Sequence, residues 1–487
     1  MALNLVRNSK VFFTTNVDST TGTINQAGSG GSAAPFTSTN TFEIQVLDGF
    51  TFSQNVNSET VTISEASETP VRGQRAFNTS LAPVDFSFST YIRPKDATTK
   101  ITAEESVLWN ALMCSTDIGT PTTVGSVTGV AINNTGVLTI SGTAITGTLP
   151  TVGDVVVISG VTSSSPSGQD KYMNAAGKVL TSTAAGITLQ MINHGAASAT
   201  GAIAGGNVKY SKFAWNESNG SYSQVTAALS EKNQLQKFGM LFLVDNVLYA
   251  VDNCALNQVT IDFGLDQIAT AQWTGQATAL REFGTGIGAN GGSFSGGVST
   301  DVGTGGYTAK VTDAQYITNK LSTITLKAVK AIGTSISAGA NYNIPITGGS
   351  FTINNNITYI TPANLGVVNS PVVYYTGTRA ISGNITAYLR TGTNLESGDL
   401  LKDMLAEAAT NIEPMFALTM SVGGAANAVH VDLEMPSVVL AVPTVDVQQV
   451  VSTNIAFTAQ GYSASATATS NTFDITNPSD LMVRYYA

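Results

Sequence analysis

VDFSFSTYIR, Val84 to Arg93, and ISGNITAYLR, Ile381 to Arg390, decide how this chain folds. In the first, Val84, Phe86, Phe88 and Ile92 alternate with Asp85, Ser87, Ser89, Tyr91 and Arg93. In the second, Ile381, Gly383, Ile385 and Leu389 alternate with Ser382, Asn384, Thr386, Tyr388 and Arg390. A period of two belongs to a strand with one dry and one wet face. The agreement face by face suggests that one strand occurs twice in the chain.

Working outward, the neighbours repeat as well. LVRNSKVFFTT (Leu5–Thr15) and YITNKLSTITL (Tyr316–Leu326) each resemble an opening strand. FEIQVLDGFTFS (Phe42–Ser53) matches YNIPITGGSFTIN (Tyr342–Asn354), and turn chemistry at Gly49 and at Gly348-Gly349 predicts a hairpin in both. Downstream, Val107, Leu108, Ala111 and Leu112 share the apolar spacing of Leu400, Leu401, Met404 and Leu405, which predicts one short helix per copy. Thr102 with Glu105 makes a capping box, and Ser397 with Asp399 supplies a cap and dipole charge. Met240–Asp252 with Val259–Asp262, and Phe416–Val422 with Val429–Leu440, follow as further hairpins. ATAQWTGQA (Ala269–Ala277) against STNIAFTAQG (Ser452–Gly461) closes each copy, equating Gln272, Thr274 and Gln276 with Ala456, Thr458 and Gln460. Six matches in one order, with a helix at the same rank, argue for a duplication.

The predicted fold is mainly β: two tandem β-sandwich or barrel domains with one short helix each, plus a small all-β inserted module. The first domain covers 1–120 and 211–282, interrupted by a Gly/Thr/Val-rich module at 121–210 that the second copy lacks and that is therefore expected to be peripheral. A Gly-rich linker spans 283–312, and the second domain with a C-terminal arm spans 313–487.

Composition bounds the function. The 487 residues exceed what one hydrophobic core ordinarily supports. Charged residues make up 11%, against about 25% in ordinary domains, which leaves a neutral polar surface. With 22 Lys and Arg against 32 Asp and Glu, the chain is not built to grip phosphate, an affinity that rests on clustered cations. Cys114 and Cys254 are too few for a disulfide framework and read as reduced packing residues. Met1–Lys10 lacks the apolar core of a signal peptide, and the apolar run Met240–Val251 is broken by Asp245 and Asn246, so no membrane span is expected.

No constellation supports catalysis or a cofactor. Gly286, Gly288 and Gly291 spell G-x-G-x-x-G without the flanking strand and helix that a dinucleotide loop needs. His194 and His430 fall in different domains, which leaves no oriented base for a nucleophile. The carboxylates Glu43, Glu65, Glu68 and Asp85 are spread over strands and loops and read as solvated surface. Arg72 and Arg75, with Lys95 and Lys100, read as surface or intersubunit ion-pair residues.

The order of opening strand, long hairpin, sheet strand, capped helix, hairpin and closing strand resembles the tail tube fold of bacteriophage tails and related contractile systems. The resemblance covers nearly the whole chain and is similar to the variety with two tandem tube domains and an inserted β-module. It implies a structural, non-enzymatic virion protein of the tail, assembled in the host cytoplasm. It also implies a homotrimer closing a pseudo-hexameric ring, with rings stacked into the conduit for genome ejection. Implied partners are other copies of the chain, a tape measure protein and tail terminator, baseplate or tip proteins, with genomic DNA passing through unbound. A sheet with one wet face closed into a ring suggests Asp85, Ser87, Ser89, Ser382, Asn384 and Thr386 as candidate lumen-lining residues. The alternative is an acidic β-rich adhesin or carbohydrate-binding fibre protein. The single duplication favours the tube, since adhesins repeat many modules or carry a secretion signal. A β-helical glycan hydrolase fits worst, lacking clustered carboxylates with aromatic platforms.

Overall fold

A computed structural model describes residues 9–25, 36–64, 72–97, 100–113, 122–153, 155–191, 198–203, 205–211, 215–217, 223–226, 235–244, 247–264, 267–282, 316–328, 332–337, 340–365, 367–392, 395–407, 415–424, 429–447, 450–460, 463–464, 471–472 and 480–486. Cys114, His194, Glu65, Glu68 and the Gly run at 283–312 lie outside the described residues.

Seven strands in the first half have counterparts in the second. The first set is β1 (Lys10–Thr14), β2 (Thr41–Ile44), β3 (Thr51–Ser64), β4 (Arg72–Tyr91), β5 (Phe238–Val244), β6 (Val247–Gly264) and β7 (Thr270–Ala277). The second is β8 (Thr323–Ala328), β9 (Asn341–Ile344), β10 (Ile346–Asn354), β11 (Ala380–Tyr388), β12 (Met415–Val422), β13 (His430–Leu440) and β14 (Ser452–Ala459). Helix α1 (Ser106–Met113) follows β4, and α2 (Ser397–Glu407) follows β11. Hydrogen bonding gives β2–β1–β5–β6 and β3–β4–β7–β6 in the first half. The second half repeats it as β9–β8–β12–β13 and β10–β11–β14–β13. The long strand β6 serves both sheets, pairing with β5 up to Cys254 and with β7 from Ala255. It turns between them at Asn253, whose φ of 52° is left-handed, and at a bulge between Leu256 and Gln258.

The topology corrects two expectations. Phe42–Ser53 and Tyr342–Asn354 are not hairpins: β2 pairs with β1 while β3 pairs with β4, and likewise β9 with β8 and β10 with β11. The chain steps from one sheet to the other, using Gly49 (φ 99°) in the first half. The closing strands also slip by two residues: Thr274 opposes Ser87, and Ala456 opposes Asn384, so Thr274 corresponds to Ala456. A slip of two keeps every side chain on its face, so alternation alone could not detect it.

One core runs between these sheets. Val84, Phe86, Phe88, Ile381, Ile385 and Phe457 point into it. Helix α1 lies against it with Val107 through Met113 all buried, and Trp109 meets Trp273 edge-on at 5.2 Å. In α2 Leu400 and Met404 are buried, whereas Leu405 faces out. One core position is filled in opposite ways in the two halves. Phe86 on β4 lies opposite Gly275 on β7, and the corresponding pair is Gly383 on β11 with Phe457 on β14. Each pair has room for one ring only: a methyl on Gly383 would sit 2.6 Å from the Phe457 ring.

A separate eight-stranded antiparallel sheet is built between Thr122–Ile132 and Val208–Ser211 around its own core, including Leu138, Ile140, Val156, Ile158 and Leu189.

Candidate functional site

The two halves share one continuous sheet. Gln258–Gly264 of β6 pairs antiparallel with Gly348–Asn354 of β10, giving the strand order β3–β4–β7–β6–β10–β11–β14. Register sets up rows across it. Ser89, Gln272, Thr260, Thr352, Ser382 and Thr458 lie opposite one another in turn, crossing six strands on the wet face. At the centre of that row the Thr260 and Thr352 hydroxyls hydrogen-bond across the seam at 3.2 Å.

All six sequence-predicted residues stand on this face. Asp85 is exposed, and Ser87, Ser89, Ser382, Asn384 and Thr386 are half-buried, while Val84, Phe86, Ile381 and Ile385 behind them are buried. Neighbours hold several in place: Gln276 donates to Asp85 at 3.0 Å, Ser87 and Thr51 share a hydroxyl hydrogen bond, and the Ser350 amide donates to the Asn384 side-chain oxygen at 2.9 Å. The wet positions of β4 from Asp85, of β7, β10, β11 and β14, and of β6 from Gln258 carry Asp85 and Asp262 and no Lys or Arg. Arg93, placed on this face by alternation, leaves it: the strand ends at Tyr91, and Arg93 is buried on Glu104 and Gln45.

The sheet ends in two unlike edges, which sequence reasoning missed. At one end, Thr51–Gln54 of β3 bonds to β4. At the other, Thr444–Asp446 continues the line of β13 and bonds to β14. Asp262–Thr270–Tyr91 and Asp446–Ser452–Tyr388 are corresponding rungs, which equates Ile261 with Val445 and Phe263 with Val447. Ile261 and Phe263 are 1% and 5% exposed beside β10, whereas Val445 and Val447 are 42% and 79% exposed. Among the described residues, β10 pairs beside Ile261 and Phe263, and no strand pairs on the corresponding side of Val445 and Val447.

Behind the face, burial dominates the electrostatics. It pushes the Glu105 carboxyl up to about 8 and raises Glu104 despite Arg93 beside it. Burial, followed by the nearby Glu434 charge, also raises Asp432. Glu43, expected at the surface, is 8% exposed with Lys10 at 3.7 Å. Among the described residues no three His, Cys, Asp or Glu side chains gather as metal ligands, and His430 stacks on Tyr486. No described helix is long and apolar enough to cross a membrane.

No protein-family profile matches the chain. It is 26% identical over 468 residues to tail tube protein pb6 of Escherichia phage T5, an alignment spanning 94% of this chain and 73% of the relative. By this homology over almost its whole length, the mainly β chain is a structural, non-enzymatic protein of the phage virion tail, similar to a tail tube subunit.

Proposed function

We propose that three chains close their shared sheets edge to edge into a pseudo-hexameric ring, and that rings stack into a tube through which genomic DNA leaves the particle. The β6–β10 seam is the observation that carries this reading. If the lateral contact inside one chain is repeated between chains, Val442–Asp446 of one copy pairs with Thr51–Asn55 of the next. Asp446 then lies opposite Thr51, as Asp262 lies opposite Ser350, and Val445 and Val447 are covered as Ile261 and Phe263 are. The closed ring removes two edges that would otherwise recruit strands indiscriminately.

The register supports a bore of suitable size. Asp85 and Ser382 correspond between the halves, yet the row across the sheet places Ser382 level with Ser89, four residues further along from 85 to 89. A stagger of four residues per four strands corresponds to a tilt of about 35°, within the range of closed barrels. Twenty-four strands about 4.8 Å apart at that tilt close at a backbone radius of about 22 Å, leaving a bore on the order of 30 Å after side chains. In this arrangement Asp85, Ser87, Ser89, Ser382, Asn384 and Thr386 line the lumen. A cation-free surface gives phosphate nothing to hold.

The halves divide as 1–120 with 211–282, and 313–487, with 283–312 as linker and 121–210 as an inserted module on the outside; the separate core of the eight-stranded sheet supports this division. The ends of β3 and β4 and the segment 361–372 extend beyond the shared sheet, meet at Ser80 and Asn369, and carry exposed Phe77, Leu365 and Val367, which suits them to contact the next ring. A tape measure protein and tail terminator, baseplate or tip proteins complete the set of partners. A tube reconstruction tests the reading: threefold symmetry with a pseudo-sixfold wall is expected, and six chains per ring, or the six named residues on the outer surface, would overturn it.

A further inference from the structure

The segment Leu481–Tyr486 is held from four directions. Its strand β15 (Met482–Tyr486) lies between β13 on one side, with Glu434 opposite Met482, and Ser223–Thr226 on the other, with Thr226 opposite Met482. Its alternating faces serve different bodies. On one face Met482 is fully buried in the core of the eight-stranded sheet. Next along that face, Arg484 is also fully buried, donating to Glu434 at 2.7 Å and to the Lys171 carbonyl of the eight-stranded module at 2.6 Å. Tyr486 follows, stacked on His430 at 4.2 Å. On the other face Val483 and Tyr485 enter the main core, where the Trp109 indole of α1 donates to the Tyr485 hydroxyl at 2.6 Å. Just ahead of the strand, Arg379 grips Asp480 with two hydrogen bonds of 3.0 Å.

We propose that the groove between β13 and Ser223–Thr226 is a strand-acceptor site whose occupant is this chain's own Leu481–Tyr486. By filling it, the segment clasps the eight-stranded module, the second half and α1 of the first half into one cooperative body. The groove selects its occupant by chemistry. It offers an apolar socket at 482, a carboxylate and a carbonyl for a planar five-donor cation at 484, and an indole donor for a hydroxyl at 485. A buried guanidinium is tolerable only where partners meet it, so the strand binds in one register. The clasp sets how the module stands on the wall, and it does not depend on how rings close.

Hydrogen exchange on the full-length monomer tests this with two variants, Tyr485→Phe and Arg484→Met, followed in Thr122–Ile132, Ser106–Met113 and His430–Leu440. If the strand is a shared clasp, each variant speeds exchange about tenfold or more in all three segments, including those that the altered side chain does not touch. Acceleration confined to α1 for Tyr485→Phe, or to β13 and the module for Arg484→Met, overturns the proposal, and so does no acceleration. Should Arg484→Met fail to fold, Tyr485→Phe, which loses a single hydroxyl, gives the same discrimination.

Discussion

The opposed Phe/Gly pairs offer a sharp test of the duplication at the level of packing. In the first half the ring of Phe86 lies over Gly275; in the second Gly383 lies under Phe457. A methyl on Gly275 meets the Phe86 ring and comes within 2.6 Å of the Ala255 carbonyl oxygen, so Gly275→Ala should cost about 1–3 kcal/mol by overpacking. Phe86 is 2% exposed, and Phe86→Gly should cost about 3–5 kcal/mol from the vacated volume, with roughly 1 kcal/mol more from the added backbone freedom. The double variant Phe86→Gly with Gly275→Phe rewrites the first half in the order of the second, filling the space from the other strand. Its cost should fall at least about 2 kcal/mol below the sum for Phe86→Gly and Gly275→Phe made singly, which is the coupling expected of groups sharing one cavity. Urea unfolding of the monomer, followed by the buried Trp109 and Trp273, measures each of the four variants. A double variant no better than additive would refute the reasoning, because the two pairs would then not be alternative solutions of one packing problem.

Stability should fall as pH rises. Glu105 has its carboxyl pushed from 4.5 up to about 8, so the favourable contribution of its neutral form is complete below about 4.5 and disappears toward 8, and Glu104 and Asp432, both raised, act in the same direction. Glu105→Gln should flatten most of that slope in urea midpoints taken from pH 5 to pH 8; an unchanged slope contradicts the assignment. Val445→Asp, at a position 42% exposed, should leave monomer stability within about 0.5 kcal/mol yet abolish rings in electron micrographs, and abundant tubes would count against the seam. Replacing 122–211 by a short Gly/Ser linker uncovers Met482. Tube yield should therefore recover only when Met482→Thr is added, and equal yields from both deletions would show that the site tolerates exposure.

Much of the fold was legible because alternation is a local signal. The dry and wet faces of Val84–Tyr91 and Ile381–Tyr388, and the existence of α1 and α2, follow from side chains that are neighbours in sequence. What alternation cannot name is the partner. Phe42–Ser53 looked like a hairpin because two alternating runs flank a glycine, but the strands belong to different sheets. Arg93 continued the wet parity by one residue too many, and burial on Glu104 decided its place. Leu405 completed an apolar spacing but faces out, since the helix buries only the Leu400–Met404 side. The edge at Val442–Val447 and the clasp at Met482–Tyr486 are matters of long-range pairing, for which the sequence holds no short-range mark.

In the ring proposed above, the seam between β6 and β10 also bears on how fast assembly can begin. Every lateral contact between separate molecules must recover lost translational and rotational freedom, a cost of at least several kcal/mol at each encounter. Within one chain the same contact forms at an effective concentration in the millimolar range, whatever the amount of protein in solution. For a ring of three chains, half of the contacts are therefore supplied before any two molecules meet. Nucleation then depends on roughly the third power of subunit concentration, where six separate domains would give the sixth, so a tail can start from a far more dilute pool of subunits.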